Sequence, residues 1–262
     1  MKIVVCVKYV PDATAERTFS PDNTVDRAGA DGTLSELDEY AVEEALKIRD
    51  ADESGDAQVV VMTMGPADAR AALTKSLQMG ADAGVHIVDD AIHGSDSIGT
   101  SLVLAEAAQR QGADIVLCGM ASTDGSMGVV PAMLAERLGV PQVTFASEVT
   151  IDGDIVRVRR DGDAATEVIE ANTPLLLSVT DQCNEPRYPS FKGIMAAKKK
   201  PVEELTLADL GIADGDVGLD AAWTKVESYT QRPPRSAGTI VADDGGSGAD
   251  RLVEFLAAQK FI

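Results

Sequence analysis

The chain has 262 residues, of which 45% are hydrophobic and 25% charged, so it has the composition of a globular protein with one α/β domain and appendages, or two small domains. Its 43 acidic residues outnumber its 23 basic ones, which gives a formal net charge of -20. A field of that sign opposes binding to nucleic acid and to anionic lipid, and we expect neither as a partner.

The three cysteines, Cys6, Cys118 and Cys183, are too few and too far apart for a disulfide framework or a metal-binding pair. We interpret them as buried thiols in a reducing cytosol. No stretch approaches 18 continuous apolar residues, and Lys2 precedes only a short apolar run that lacks the pattern of a signal peptide. The sequence therefore predicts a cytoplasmic protein with no direct membrane insertion.

Over the first 145 residues, apolar runs typical of buried strands alternate with segments that have helical spacing of apolar residues. The predicted strands cover residues 2–7, 57–64, 84–88, 114–118 and 142–145. The predicted helices cover residues 37–48, 67–79, 97–110 and 128–138. The first helix has a Ser35/Asp38 capping pair at its start and Glu43 and Glu44 opposite its apolar side. Because crossover helices must cover both sheet faces, this alternation predicts an α/β fold with a doubly wound, mostly parallel, Rossmann-like sheet.

Beyond residue 145 the sequence changes to short stretches in which apolar and polar residues alternate. The turn sequences Asp152-Gly153-Asp154 and Asp161-Gly162-Asp163 separate these stretches. Such a pattern is typical of antiparallel strands. It predicts a β-hairpin extension over residues 146–172, followed by a buried strand over residues 174–180.

Regular patterns are lost after residue 180. We expect residues 181–203 to form a proline-containing loop and residues 211–262 to form an extended arm. The last part of this arm, residues 249–262, has apolar residues at helical spacing. Scattered apolar residues such as Trp223 cannot build a core of their own, so we expect the arm to lie across the surface of another molecule.

Candidate catalytic residues are few. The only histidines are His86, within an apolar strand, and His93, just before a predicted helix start, and we expect core or capping roles for both. The sequence has no nucleophile elbow, no zinc-binding helix and no Cys/His cluster with metal-ligand spacing. We therefore predict no catalytic residue and no metal site, and we expect that the chain alone is not an enzyme.

Ligand-binding residues are expected where the predicted strands end, because helix N-termini at the carboxyl edge of a parallel sheet bind phosphate. Three such loops are Cys6-Val7-Lys8, Met64-Gly65-Pro66 and residues 119–128. The third loop has glycines that allow the backbone to approach a phosphate closely, and several hydroxyl donors. It predicts a phosphate cradle, although it matches neither the dinucleotide-binding glycine motif nor a P-loop.

The most specific motif is Asn184-Glu185-Pro186-Arg187-Tyr188, followed by a short loop and by Ile194-Met195-Ala196-Ala197-Lys198-Lys199-Lys200. It closely resembles the signature region of electron transfer flavoprotein beta subunits. Further matches at Lys2–Asp12, Asp38–Leu46 and Met64–Pro66 extend the resemblance over essentially the whole chain. The resemblance implies a sheet of the adenine nucleotide alpha hydrolase-like type.

In that family the beta subunit binds AMP at the carboxyl edge of the sheet. The resemblance implies AMP contacts by Cys6, Ser35, Glu36, Leu37, Asp38, Met64, Gly119, Ser122, Thr123, Asp124, Gly125, Ser126, Met127 and Gly128. Two stretches depart from the family pattern. Ser35-Glu36 stands where the family usually has Asn-Pro, and Ser126-Met127-Gly128-Val129 stands where it has a sequence similar to Asp-Thr-Gly-Gln.

The resemblance also implies FAD, which the family's alpha subunit holds with most of its contacts. One wall near the dimethylbenzene end of the flavin would come from Val10, Pro11, Asp12 and Ala13 of this chain. Some relatives have an aromatic residue at position 13, and Ala13 lacks that contact.

Residues 181–200 resemble the family's recognition loop, which places an apolar side chain in a pocket of a client dehydrogenase. The implied contact residues are Phe191, Lys192, Ile194, Met195 and Lys199. Two alternatives are a core position for Phe191 and a merely solvated run of lysines.

The resemblance implies the beta subunit of a heterodimeric carrier that accepts electrons from acyl-CoA or other flavin dehydrogenases and passes them to a membrane-linked quinone oxidoreductase. Residues 1–210 would form the nucleotide-binding domain, and the arm would pack on the alpha subunit. One alternative is a bifurcating flavoprotein with a second FAD in the AMP site. Another is a free-standing nucleotide-binding protein of the universal-stress type.

Overall fold

A computed structural model describes residues 1–233, 237–243 and 245–262 and shows the alternation of strands and helices that the sequence predicts. The strands are β1 (Lys2–Cys6), β2 (Tyr9–Pro11), β3 (Gly32–Leu34), β4 (Gln58–Met64), β5 (Ala83–Ile87), β6 (Ile115–Gly119), β7 (Gln142–Ala146), β8 (Glu148–Asp152), β9 (Ile155–Asp161), β10 (Thr166–Asn172), β11 (Leu175–Val179) and β12 (Val202–Leu205). The α-helices are α1 (Glu36–Ala51), α2 (Arg70–Met79), α3 (Ser97–Gln111), α4 (Val130–Leu138), α5 (Phe191–Ala197), α6 (Gly218–Ala221) and α7 (Gly248–Ala258). The chain divides into two units, Met1–Glu227 and Ser228–Ile262.

Seven strands of the first unit form one parallel sheet in the order β12-β5-β4-β1-β6-β11-β7. The chain builds outward from β1 through β4 and β5 and then crosses to β6 on the other side of β1. The direction of strand addition therefore reverses between β1 and β6. In open α/β sheets, ligands bind at the carboxyl ends of the strands beside such a switch. The predicted α/β class and parallel sheet are confirmed.

Helices and apolar side chains cover both faces of this sheet. On one face Ile3 and Val5 of β1 pack with residues of α1 and α2, and on the other Val4 packs with residues of α3 and α4. Every residue of β6 and of β11 is buried. Burial on both faces explains why these strands are continuous apolar runs rather than alternating ones.

The predicted hairpin extension is a three-stranded antiparallel sheet in the order β10-β9-β8. In β9, buried Val156 and Val158 alternate with exposed Arg157 and Arg159. Arg157 donates to Glu170 of β10 at 2.6 Å. One face of this sheet therefore packs on the core, and the other carries cross-strand ion pairs.

The prediction of a loop over residues 181–203 is wrong, because α5 and β12 begin within it. β12 extends the sheet at the edge of β5, with Val202 opposite Gly84. A Cβ on Gly84 would lie 3.3 Å from Val202 Cγ2, so the glycine leaves space for this pairing. β12 has four residues, including the exposed Glu203 and Glu204, and is too short to show a periodic pattern.

In the second unit, α7 presents its apolar side chains to solvent, and no residue of this helix is buried. Leu252, Val253 and Phe255 are each more than half exposed. The helix predicted over residues 249–262 is confirmed as far as Ala258.

The predicted arm, residues 211–262, includes residues of both units, and its residues 234–236 and 244 lie outside the described part of the chain. Among the described residues, no helix is long and apolar enough to cross a lipid bilayer.

Candidate nucleotide-binding site

The carboxyl ends of β1, β4 and β6 lie side by side and bring together the three loops that the sequence singles out. Cys6, the last residue of β1, lies opposite Cys118 on the neighbouring strand β6. Gly119 follows Cys118 and ends β6. Met64 ends β4 on the other side of β1. The start of α1 reaches the same edge, because Leu37 O lies 2.8 Å from where a Cβ on Gly119 would stand. The residues with predicted AMP contacts thus share one edge of the sheet.

Asp38 connects the ends of the two central strands. Its buried Oδ2 accepts a hydrogen bond of 2.8 Å from the N–H of Lys8, just after β1. The carboxylate also accepts one from the N–H of Gly119 at the end of β6. A Cβ on Gly119 would lie 2.6 Å from Asp38 Oδ1, so the close approach requires glycine. Burial raises the pKa of Asp38 to about 7.

Ser35 and Asp38 do not form the predicted capping pair. Ser35 occupies the N-cap position of α1, but its side chain makes no capping hydrogen bond. Its hydroxyl accepts a long hydrogen bond of 3.4 Å from the N–H of Thr123 instead. The prediction fails because the carboxylate of Asp38 accepts hydrogen bonds from the backbone N–H groups of Lys8 and Gly119 at the strand ends instead.

A cluster of charged residues holds the loop that follows β6. The side chain of Asp124 is 5% exposed and pairs with Lys8 Nζ at 2.8 Å and with Arg27 Nη2 at 2.9 Å. Burial opposes the ionisation of Asp124, but these two cations hold its pKa well below the usual range. Arg17 donates to the carbonyl oxygens of Thr123 and Asp124 at 2.9 and 3.0 Å. Arg17 and Arg27, both from the segment between β2 and β3, therefore hold the loop after β6 in position.

Sequence reasoning misses Arg17 and Arg27, because both lie in a polar stretch without a motif. Lys8 is the one available signal, since it follows the first strand and belongs to a loop that the sequence analysis identifies.

The loop after β6 has the features of a phosphate site. Ser126 and Gly128 adopt left-handed conformations, with φ of 54° and 65°, just before α4 begins at Val130. The N-terminus of a helix favours anions. Lys8 and Arg27 remain 42% and 33% exposed in their side chains, so an anionic ligand can approach their charges.

The three cysteines are free thiols, with Cys118 buried and Cys6 and Cys183 partly buried. Hydrogen bonding to Cys6 and burial raise the pKa of Cys118. Burial and the nearby Glu44 raise the pKa of Cys183 to about 12. Cys118 and Cys183 are therefore protonated at neutral pH, and the expected burial is complete only for Cys118.

The residues predicted to form a flavin wall lie in and after the hairpin of β2 and β3. Val10 pairs with Thr33, and both Val10 and Pro11 are buried. Asp12 is partly exposed and Ala13 is exposed. Only the last two therefore present side chains to a ligand outside this unit.

Four of the five residues predicted to recognise a client lie in α5, and Lys199 lies two residues after its end. Phe191 is 81% exposed, which contradicts the alternative of a core position. Met195, Ile194, Lys192 and Lys199 are exposed as well.

Close packing fixes the position of α5. Ser190 caps the helix by accepting a hydrogen bond of 3.0 Å from the N–H of Gly193. A Cβ on Gly193 would lie 2.5 Å from Gln78 O at the end of α2. Lys200 donates to Leu77 O at 2.9 Å. The segment is therefore a helix held against α2 rather than an unanchored loop.

The motif Asn184-Glu185-Pro186-Arg187-Tyr188, just before α5, is anchored on α1. Arg187 makes a two-pronged contact with Glu43, at 2.8 and 3.0 Å, and reaches Asp50 at 3.0 Å. Asn184 donates to Glu44 at 2.9 Å. Glu43 and Glu44 are buried under this segment, so the side of α1 opposite its apolar residues is covered as well. Arg187 compensates the buried charge of Glu43, and Lys47 and Asn184 compensate that of Glu44.

The two histidines differ from each other. His86 is buried and its Nε2 lies 3.1 Å from Gly65 O, which confirms the expected core role. His93 is 62% exposed in its side chain and its Nε2 lies 2.8 Å from Asp22 Oδ2. His93 is therefore not a core residue, and the N-cap of α3 is Asp96 instead, although the backbone of His93 caps the end of the short 3₁₀ helix Asp90–Ile92.

Comparison with known proteins gives the family of the chain. A family model described as the electron transfer flavoprotein domain matches residues 22–210. The electron transfer flavoprotein subunit beta of Mycobacterium tuberculosis is 46% identical, with 99% of each chain covered. The protein of the same name from Megasphaera elsdenii is 37% identical, and the acryloyl-CoA reductase electron transfer subunit gamma of Anaerotignum propionicum is 33% identical, each over 100% of both chains. On this full-length similarity, the chain belongs to the family of electron transfer flavoprotein beta subunits.

Proposed function

We propose that this chain joins an alpha subunit in a heterodimeric electron carrier, in which it holds AMP and forms one wall of an FAD site. The observation that carries the proposal is the phosphate cradle at the switch between β1 and β6. There Asp124 fixes Lys8 and Arg27 at 2.8 and 2.9 Å beside a glycine-containing loop and the start of a helix.

AMP fits the chemistry of this edge. Lys8 and Arg27 supply positive charge for its phosphate. The N–H groups of Thr123, Gly125 and Ser126 already donate to neighbouring oxygens, so the phosphate would take those of Met127 and Gly128, just before α4. The start of α1 and Met64 flank the position where the adenosine part would lie. The family resemblance supports AMP as the specific nucleotide.

FAD, when bound, supplies the one- and two-electron redox chemistry of the carrier. This chain contributes binding and shielding only: the surface at Asp12 and Ala13 covers one end of the flavin, and the alpha subunit holds the rest. Arg17 and Arg27 join this surface to the AMP cradle through Asp124. We assign this chain no catalytic residue of its own.

The client partners are acyl-CoA or related flavin dehydrogenases on the donor side and a membrane-linked quinone oxidoreductase on the acceptor side. Phe191 supports a docking role, because an 81% exposed aromatic side chain at the start of a firmly packed helix suits an interface anchor. The exposed Lys192 and Lys199 can face carboxylates on the client. The name of the Anaerotignum propionicum relative supports clients that act on acyl-CoA compounds. We expect the complex to work in the cytoplasm.

The test is to co-express this chain with its alpha subunit, purify the complex, denature it and quantify the released nucleotides. One FAD and one AMP per heterodimer is the expected result. Two FAD and no AMP would point to the bifurcating alternative. A nucleotide-bound homodimer that ignores the alpha subunit would overturn the proposal in favour of the universal-stress alternative.

The role of the cradle is tested by Lys8→Gln. Loss of the cation should lower the affinity for AMP by at least about tenfold, since a charge-assisted hydrogen bond contributes about 1.5–3 kcal/mol. Lys2→Gln is the matched control, because Lys2 begins β1 at the end of the strand that lies away from the cradle. An equal loss of AMP in both variants would contradict the assignment.

A further inference from the structure

Residues 217–224 pack against residues 93–96, just before α3. The proposed nucleotide and flavin sites do not use this contact. The N–H of Leu219 donates to His93 O at 2.8 Å, and the N–H of Gly218 donates to Ser95 Oγ at 2.8 Å. A Cβ on Gly94 would lie 2.6 Å from Leu219 Cβ, so this glycine allows the two segments to touch. The two segments are therefore closely packed.

One carboxylate, that of Asp96, joins this segment to α3. Its Oδ1 caps the helix by accepting hydrogen bonds from the N–H groups of Ile98 and Gly99 at 2.9 and 3.1 Å. Its Oδ2 accepts hydrogen bonds from the N–H groups of Trp223 and Thr224 at 3.0 and 3.1 Å. Burial opposes the ionisation of Asp96, but these N–H groups lower its pKa overall, so both oxygens act as acceptors at neutral pH.

The hydrogen bonds to Asp96 hold the backbone of Trp223 in place, while its indole side chain is exposed. The side chain of Trp223 is 84% exposed, although its own N–H is bonded to Asp96. Val226, three residues later, is 51% exposed. A large aromatic side chain whose backbone is held in place before binding is the type of residue that dominates interface energies.

We propose that Asp96 presents Trp223 as an anchor for the alpha subunit, at the point where the chain leaves the first unit. This inference rests on the proposed heterodimer. The occupant is a folded protein surface, because the chain continues into α7, whose Leu252 and Phe255 are 57% and 56% exposed and need an apolar cover. A net charge of -20 opposes an anionic lipid surface as the alternative cover.

Trp223 is the single tryptophan of the chain, which allows a direct test. This chain is labelled with 5-fluorotryptophan and mixed with unlabelled alpha subunit, and the one fluorine resonance is followed. We expect the resonance to shift and to lose its sensitivity to a dissolved paramagnetic agent. Formation of the heterodimer with an unchanged, agent-sensitive resonance would overturn the inference.

Subunit exchange then measures how fast the heterodimer dissociates. Trp223→Ala should speed dissociation at least about tenfold, as expected for an interface anchor. Asp96→Asn should speed it about three- to tenfold, because asparagine still caps the helix but turns an N–H₂ group toward Trp223 and Thr224. The double variant should dissociate no more than about twofold faster than Trp223→Ala, since Asp96 acts through the indole.

Asp89→Asn is the matched control. Asp89 accepts hydrogen bonds from the N–H groups of Ala91 and Leu207, at 3.1 and 3.2 Å, and so caps one segment and holds another at the same edge. Its substitution should leave dissociation within about twofold of the wild type. Equal effects of the two Asn variants would show a general loss of stability and overturn the role of Asp96. Failure of the wild-type chain to bind any alpha subunit would instead overturn the proposed function.

Discussion

The two units of the chain place their apolar side chains differently. In Met1–Glu227 every residue of β6 is buried, whereas in Ser228–Ile262 no residue of α7 is, although both elements are rich in apolar residues. Each square ångström of apolar surface removed from water contributes about 25 cal/mol. The first unit gains this energy from its own core. The second unit buries no residue of its helix, and in the proposed heterodimer the alpha subunit would supply the missing apolar cover.

The largest expected effect comes from opening a cavity in the first unit. Leu117, in the middle of β6, is fully buried. Leu117→Ala should lower the free energy of unfolding by about 2–5 kcal/mol, because lost burial and a residual cavity add together. Urea denaturation of the full chain, followed by circular dichroism, measures the change. A loss below about 1 kcal/mol would show that the sheet is not the stabilising core.

A smaller effect is expected from the buried ion pair between the recognition motif and α1. Arg187→Ala leaves the carboxylate of Glu43, whose side chain is 7% exposed, without its partner. We expect a loss of about 2–3 kcal/mol in the same urea experiment, since removing one member of a buried pair is strongly destabilising. Arg157→Ala is the control, because Arg157 and Glu170 are both at least half exposed. That change should stay within about 0.5 kcal/mol, and equal losses would contradict the distinction.

Asp38 should give the first unit a distinctive dependence on pH. The pKa of Asp38 is raised to about 7 by burial, so the folded state keeps a proton that the unfolded state loses near pH 4. Stability from this group is therefore fully present below about pH 4 and is lost progressively as pH rises from about 4 to about 7, by on the order of 4 kcal/mol.

The difference in unfolding free energy between the wild type and Asp38→Asn isolates this contribution and should decline between pH 4 and 8. Asp124, at the same edge, has a lowered pKa, so its contribution is lost only as pH falls below about 4. The two windows are separate. A difference that stays constant across pH 4–8 would show that Asp38 has an ordinary pKa.

The smallest effect on the chain alone is expected in α7. Leu252 is 57% exposed, so Leu252→Ala should change the free energy of unfolding by less than about 0.5 kcal/mol. In the heterodimer the same change should speed subunit dissociation several-fold, because the side chain gains its burial from the partner. Leu117→Ala and Leu252→Ala therefore sharpen the contrast between the two units. A large loss of stability in the isolated chain would place Leu252 in a core.

Much of the first unit could be predicted from sequence because its elements show local periodicity. The apolar run of β6 and the helical spacing of α3 are visible within a dozen residues. β12 and the hairpin of β2 and β3 escaped prediction, since strands of three or four residues are too short for a pattern. The loop after β6 was identifiable from its glycines and its place after a strand. The cations that fasten it, Arg17 and Arg27, lie about a hundred residues away in the chain and carry no local signal.

The sequence by itself determined the α/β class, the parallel sheet, the family and the sheet edge where we propose that the nucleotide binds. These follow from local periodicity and from motifs whose residues are adjacent in the chain. Only the tertiary structure decided that Asp38 spans two strand ends instead of capping α1, that Glu43 is buried under Arg187, and that Asp96 holds Trp223 in place. Each of these contacts joins residues 30 to 144 positions apart, so the partner of each polar group depends on which segments the completed fold brings together.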